Sequence, residues 1–280
     1  MKRFPILGSL LLIPAIALLA LTGCPGPKVE TDKKDPTPAV PPKTTTKTKI
    51  KTPTDGKFAG TVTFKGEKPA MPLIDAIAKH QEKAICEAGG QINVQEQNWI
   101  IDKDNGVANV VVWLEPAADK EFEIKDEHKA PFKKPAEMDQ PFCQYVPHVV
   151  AVYADFQPLV VKNSSKTLHN VKIEEGRNNP KKDINMPKEA KPIELTFKKE
   201  PVGSPLKFSC SIHTWMSGRV LTFDHPYFAV TDKNGKFEIA NVPNGEDLAV
   251  WMWHEEKGKW KAKDFKFVTG ANDLGLTIAK

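Results

Sequence analysis

Phe208-Ser209-Cys210-Ser211-Ile212-His213-Thr214-Trp215-Met216-Ser217-Gly218 is the stretch that decides how this chain folds. Cys210 brings a soft thiol, His213 an imidazole and Met216 a thioether, all within seven residues. Residues 205–209 and 219–223 on either side read as strands. The segment between them is therefore a loop able to turn its side chains onto one point. Thiolate with imidazole suits copper or zinc, and a thioether tilts the choice to copper, which tolerates a long, weak axial sulfur. A three-coordinate base needs a second imidazole. Upstream, 159–162 reads as a strand and 163–166 as a turn, and Thr167-Leu168-His169-Asn170-Val171 follows.

Strand, turn, His169-Asn170-Val171 and then Cys210-x-x-His213-x-x-Met216 resembles the ligand order of the blue-copper cupredoxins. The short ligand loop is most similar to that of amicyanin, departing at Ile212 and Thr214, where such loops tend to carry proline. The resemblance implies a mainly β protein with a cupredoxin-like Greek-key β-sandwich over residues 138–224. It implies one type 1 copper, with His169, Cys210 and His213 as strong ligands and Met216 as the weak axial one. It also implies that the Asn170 backbone N–H donates to the Cys210 sulfur. His213 is then expected near the surface, with Trp215 beside it as the point of electron access. Core packing is the other reading of Trp215. His80, His128 and His225 are expected on the surface, and His254 at a strand edge.

The 280 residues suffice for one large or two modest domains, and the formal charge is +5. That charge is uneven. Lys2 and Arg3 belong to a leader, and residues 25–58 hold eight Lys against four acids, which leaves the rest close to −1. The basic excess belongs to a tether, so no nucleic-acid partner is expected.

Residues 1–3 are positive, 4–21 are apolar, and Leu21-Thr22-Gly23-Cys24 follows. This resembles a bacterial lipoprotein signal (residues 1–23), with Cys24 as the acylated first residue of the mature protein. An ordinary secretory peptide or a membrane helix is the alternative, against which stand Pro5, Pro14 and the shortness of the run. Pro25 after the cysteine implies no retention at the inner membrane. The expected location is the cell envelope, lipid-anchored, with the body in the periplasm or outside the cell. Residues 24–57, rich in Pro, Lys and Thr, are expected to be a disordered spacer.

In the body, 58–64 alternates as a strand, 72–88 shows near-helical spacing ended by Gly89-Gly90, and 98–102 and 108–114 read as strands joined at Asp104-Asn105-Gly106. Residues 117–138 read as a surface loop and 174–192 as irregular. Beyond the ligand loop, 227–231 and 236–239 are expected to pair as a hairpin about Asn234-Gly235, and 247–254 forms a strand. Asn241-Val242-Pro243-Asn244-Gly245 and the turns around it resemble the carboxypeptidase-regulatory-like (transthyretin-like) β-sandwich, whose opening strand is similar to residues 60–69. That smaller sandwich would be discontinuous, residues 58–116 and 225–280, with the copper domain inserted. The order of His148, the ligand loop, His225-Pro226-Tyr227-Phe228 and Trp253-His254-Glu255 resembles bacterial proteins labelled methylamine-utilisation.

Of the four cysteines, Cys86 and Cys143 remain once Cys24 and Cys210 are assigned. In an oxidising envelope a disulfide is their simplest fate. Two free buried thiols, or a second metal site using Cys143 and His148, are the alternatives.

The leading function is a monomeric, membrane-tethered single-electron carrier serving unidentified redox proteins of the envelope. Two others stand beside it: copper sequestration or delivery, and a wall- or polysaccharide-binding sandwich. An enzyme is not expected, because the sequence shows no Ser-His-Asp arrangement, no phosphate-cradling glycine loop and no open metal position.

Overall fold

The computed structural model describes residues 46–51, 53–90 and 94–280. The leader, Cys24 and the first part of the tether lie outside the described residues. The described chain is mainly β. One sheet has the strand order Lys182–Met186, His169–Ile173, Leu206–Ser209, Ser217–Phe223, Val149–Tyr153. A second runs Ile193–Leu195, Leu159–Val161, Ala136–Phe142, Gln144–Val146. The two close over one core, in which Met138, Leu159 and Val161 of the smaller sheet meet Val150, Val152, Val171, Phe208 and Val220 of the larger. This is a β-sandwich.

A second pair of sheets repeats the plan. Phe228–Val230, Val111–Glu115, Asp247–His254 and Gly258–Lys266 form one, and Lys236–Val242, Gly56–Phe64 and Gly270–Ile278 the other. Phe58, Val62, Ile239 and Leu276 face Val112, Leu114, Val250 and Met252 across their core.

Side chains alternate across a strand, so each strand offers two faces. Val150 and Val152 enter the first core, whereas Val149, Ala151 and Tyr153 point the other way. There they meet Leu221, Phe223, Val111, Trp113, Phe228 and Trp253 in a third apolar cluster. The sheet holding Val111–Glu115 is thus covered on both faces, which is why Val110 to Leu114 is an unbroken apolar run, fully buried.

Several local expectations give way to tertiary pairing. The expected helix over 72–88 is two single turns, Asp75–Ala78 and Lys83–Cys86, followed by the 3₁₀ turn Glu87–Gly89. Its apolar residues do not form one stripe but pin separate turns, with Ile74, Ile77 and Cys86 all in the first core. Residues 117–138 are not a bare loop: Lys120–Phe122 is a strand, and Asp126–Lys129 is a helical turn. The strand partner is Thr48–Ile50, lying parallel. Residues 48–51 and 53–57 are therefore built into the fold, with Ile50 only 5% exposed. Lys182–Met186, inside the supposedly irregular 174–192, pairs with His169–Ile173.

The turn at Asn234-Gly235 forms, Gly235 taking a φ of 75° that a side chain would resist. It is not a hairpin, however. Phe228–Val230 pairs with Val111, Val112 and Trp113, while Lys236–Val242 pairs with Gly56–Phe64. The turn carries the chain from one sheet of the second sandwich to the other. Residues 98–102 make only the isolated bridge Ile101↔Val107. His128 and His225 are buried rather than on the surface. His225 sits among Phe122, Phe223 and Tyr227, and burial pushes it down to about 4, with Asp224 opposing and Lys199 assisting.

Candidate metal centre

Two neighbouring strands of the five-stranded sheet bring the sequence-distant donors together. His169 opens the strand His169–Ile173, and Leu206–Ser209, its antiparallel neighbour, ends just before Cys210. Donor atoms of His169, Cys210 and His213 all lie within 4.8 Å of one another. The two Nδ1 atoms are 3.1 Å apart, and His213 Nδ1 is 3.9 Å from Cys210 Sγ. Both imidazoles are completely buried, and Cys210 is nearly so. Met216, also fully buried, lies in the same core, and its N–H donates to the His213 carbonyl at 2.8 Å, closing the loop into a turn.

The sulfur accepts two backbone N–H groups, from Asn170 and His213, each at 3.5 Å. The Asn170 side chain staples the two ligand segments: its Oδ1 accepts from Ser211 N–H at 2.6 Å, and its Nδ2 donates to Asp183. Tyr145 reaches the same two segments from below. Its hydroxyl lies 2.9 Å from the carbonyls of Asn170 and Ser209, each next to a ligand residue.

The surroundings disfavour positive charge on the imidazoles. Burial, then the neighbouring His213, pushes His169 down to about 4. Burial also lowers His213, opposed by Glu82. Two neutral imidazoles with a thiol, aimed at one dry point, are a donor set that fits a soft or borderline metal ion.

His213 departs from the expected surface position. It is 0% exposed, and its Nε2 lies 2.8 Å from the Glu82 carboxylate. Glu82 stands between the two helical turns described above and also accepts from the Thr167 hydroxyl. Burial pushes the Glu82 carboxyl up, but its hydrogen bonds to Thr167 and His213 outweigh that and leave it below the usual range. The His80 ring packs 4.9 Å from His213. Trp215 is half-buried, 5.4 Å from His213, with its N–H on the Cys143 carbonyl.

Cys86 and Cys143 form a disulfide. Cys86 also falls within 4.8 Å of donor atoms of His80 and His213, but its sulfur is already bonded. The alternative of a metal at Cys143 and His148 is overturned for the same reason. His148 instead meets Glu255, which also holds Arg219.

Glu82, His80, Tyr145 and Asp183 are parts of the site that the sequence did not announce. Glu82 lies 131 residues from His213 with no motif around it. Asp183 lies in a strand that polar composition concealed.

No family model matches the sequence, and no curated protein matches it. Among solved structures, a copper-containing nitrite reductase from Thermus scotoductus is 15% identical with a TM-score of 0.28, over 32% of this chain and 22% of its own. A purple cupredoxin from Nitrosopumilus maritimus is 19% identical with a TM-score of 0.26, over 31% of this chain and 99% of its own. A mutant amicyanin in its reduced state is 17% identical with a TM-score of 0.27, over 40% of this chain and 99% of its own. This chain thus spans only about a fifth of the reductase it matches. Fold and site together define the class: a mainly β sandwich protein with a buried Cys-His-His cluster.

Proposed function

We propose that this protein is a cupredoxin-like copper protein that passes single electrons between redox proteins of the bacterial cell envelope. The observation that carries this reading is the convergence of His169, Cys210 and His213, buried and within 4.8 Å of one another. Those three residues would hold the ion strongly, and Met216 would supply the weak axial sulfur. When bound, copper supplies a one-electron couple. The protein's part is to keep the donors fixed. The sheet holds His169 and Cys210, while Asn170 and Tyr145 tie their segments together. The Asn170 N–H on the sulfur favours electron-rich thiolate character there. Acylation at Cys24 would tether the protein to a lipid leaflet, and residues 25–47 would give the body reach. The second sandwich, with Asn234-Gly235 and Pro243-Asn244-Gly245 at its turns, is read as carboxypeptidase-regulatory-like.

One observation favours a second reading, copper sequestration or delivery: the His213 edge through which an electron would leave is covered by Glu82 and His80. Optical and EPR spectra of the copper-loaded protein separate the two. A carrier shows an intense charge-transfer band, bleached by reductant and restored by oxidant. Cys210→Ser removes that band, and Met216→Leu keeps copper but shifts the potential. A protein that takes only Cu(I), exchanges it freely and shows no such band is a delivery protein.

A further inference from the structure

The segment over residues 74–89 has no counterpart in the ligand pattern read from the sequence, yet it touches the centre at His213. Ile74 and Ile77 root it in the first core, and the Cys86–Cys143 disulfide ties its far end to the strand pair beneath the ligand loop. Between these anchors Glu82 projects inward. One carboxylate oxygen faces His213 Nε2 at 2.8 Å, and the other accepts from Thr167, two residues before His169. A carboxylate has no proton to donate, so His213 must carry its proton on Nε2 to make this bond. Its Nδ1 is then left with a free lone pair, and Nδ1 is the atom that faces His169 Nδ1 and Cys210 Sγ. One acidic side chain therefore sets the tautomer of one candidate ligand and braces the loop leading to the other.

We propose that Glu82 is the positioning residue of the metal centre: it holds His213 in the Nε2–H tautomer, aims Nδ1 at the metal point and keeps the segment over 74–89 closed above it. The inference rests on the copper reading for its consequence, but the tautomer is a property of the metal-free protein. A carboxylate behind an imidazole ligand raises its basicity and fixes its ring, and loss of such a partner commonly costs about 10- to 100-fold in metal affinity. The arrangement also seals the His213 edge, so a docking partner would have to meet the centre elsewhere. Half-buried Trp215 is in ring contact with both His213 and His80.

The test uses the full-length protein, its Glu82→Ala and its Glu82→Gln variants, with melting curves to establish that each is folded. Long-range ¹⁵N–¹H spectra of the metal-free protein are expected to show His213 as the Nε2–H form. That form becomes a mixture in Glu82→Ala and is largely restored in Glu82→Gln, whose amide oxygen can still accept. Release of Cu(I) to bicinchoninate is expected to quicken about 10- to 100-fold in Glu82→Ala and much less in Glu82→Gln. A folded Glu82→Ala protein with an unchanged tautomer and unchanged release overturns the proposal. If the wild type binds no copper but loses the Nε2–H form on Glu82→Ala, the copper reading falls and the hold of Glu82 on His213 stands.

Discussion

Individual histidines in this protein are distinguished by what surrounds them rather than by their place in the chain. His169 and His213 converge with a thiol. His254, expected at a strand edge, does end the strand Asp247–His254, and it is buried there with its ring 4.0 Å from that of Trp99. Burial pushes His254 down to about 4, with Glu255 opposing and His148 and Lys257 assisting. The unfolded chain, with an ordinary imidazole near 6.5, binds the proton first, so stability falls as pH drops. This contribution is fully present above about pH 6.5 and is lost on the way to pH 4, about 3 kcal/mol for the one group. Urea unfolding of the metal-free protein at a series of pH values is expected to show that decline, and His254→Gln should flatten it by about one proton's slope. An unchanged slope would mean that His254 is not held neutral.

At the scale of elements, pairing overrode composition wherever a polar segment found a partner. Residues 182–186 contain two charged side chains, yet they extend the sheet because His169–Ile173 offers a free edge. The helical spacing in 72–88 broke into single turns because Glu82 and Cys86 are each fixed to a different part of the sandwich. The disulfide closes a loop with a sequence separation of 57 residues. Removing such a cross-link costs roughly 4 kcal/mol on the chain-entropy account. Denaturant unfolding of a Cys86→Ser, Cys143→Ser double variant is expected to show a loss of that order. A much smaller loss would mean that residues 74–89 are held by Ile74, Ile77 and Glu82 without the cross-link.

Across the whole molecule, the two sandwiches bury a shared apolar face, and polar side chains cross between them. Glu255, at the end of the strand Asp247–His254, binds both His148 and Arg219, which belong to the first sandwich. Residues 48–51 and 53–57 belong to this body as well. Thr48–Ile50 pairs with Lys120–Phe122, Thr54 holds His128 at 2.9 Å, and Asn244 N–H donates to the Pro53 carbonyl. A chain starting at Asp55 is therefore expected to be less stable than one starting at Thr45. The cost is about 2–4 kcal/mol, from the lost burial of Ile50 and the lost Thr54–His128 hydrogen bond. Equal midpoints in urea would show that the Thr48–Ile50 strand and Thr54 only decorate the fold.

Strand alternation, the Asn-Gly turns and the spacing of Cys210, His213 and Met216 are local, and the sequence alone determined them, because each depends on residues within a few positions of one another. His169 was legible too, since strand, turn and His-Asn-Val form a local pattern of their own. What only the tertiary structure decided is everything that depends on which segment lies across from which. That includes the stacking of two sandwiches, the sheet switch at Asn234-Gly235, the burial of His128, His225 and His254, and the closing of Glu82 over His213. Such contacts join residues tens to more than a hundred positions apart, and no local preference of either partner encodes the other.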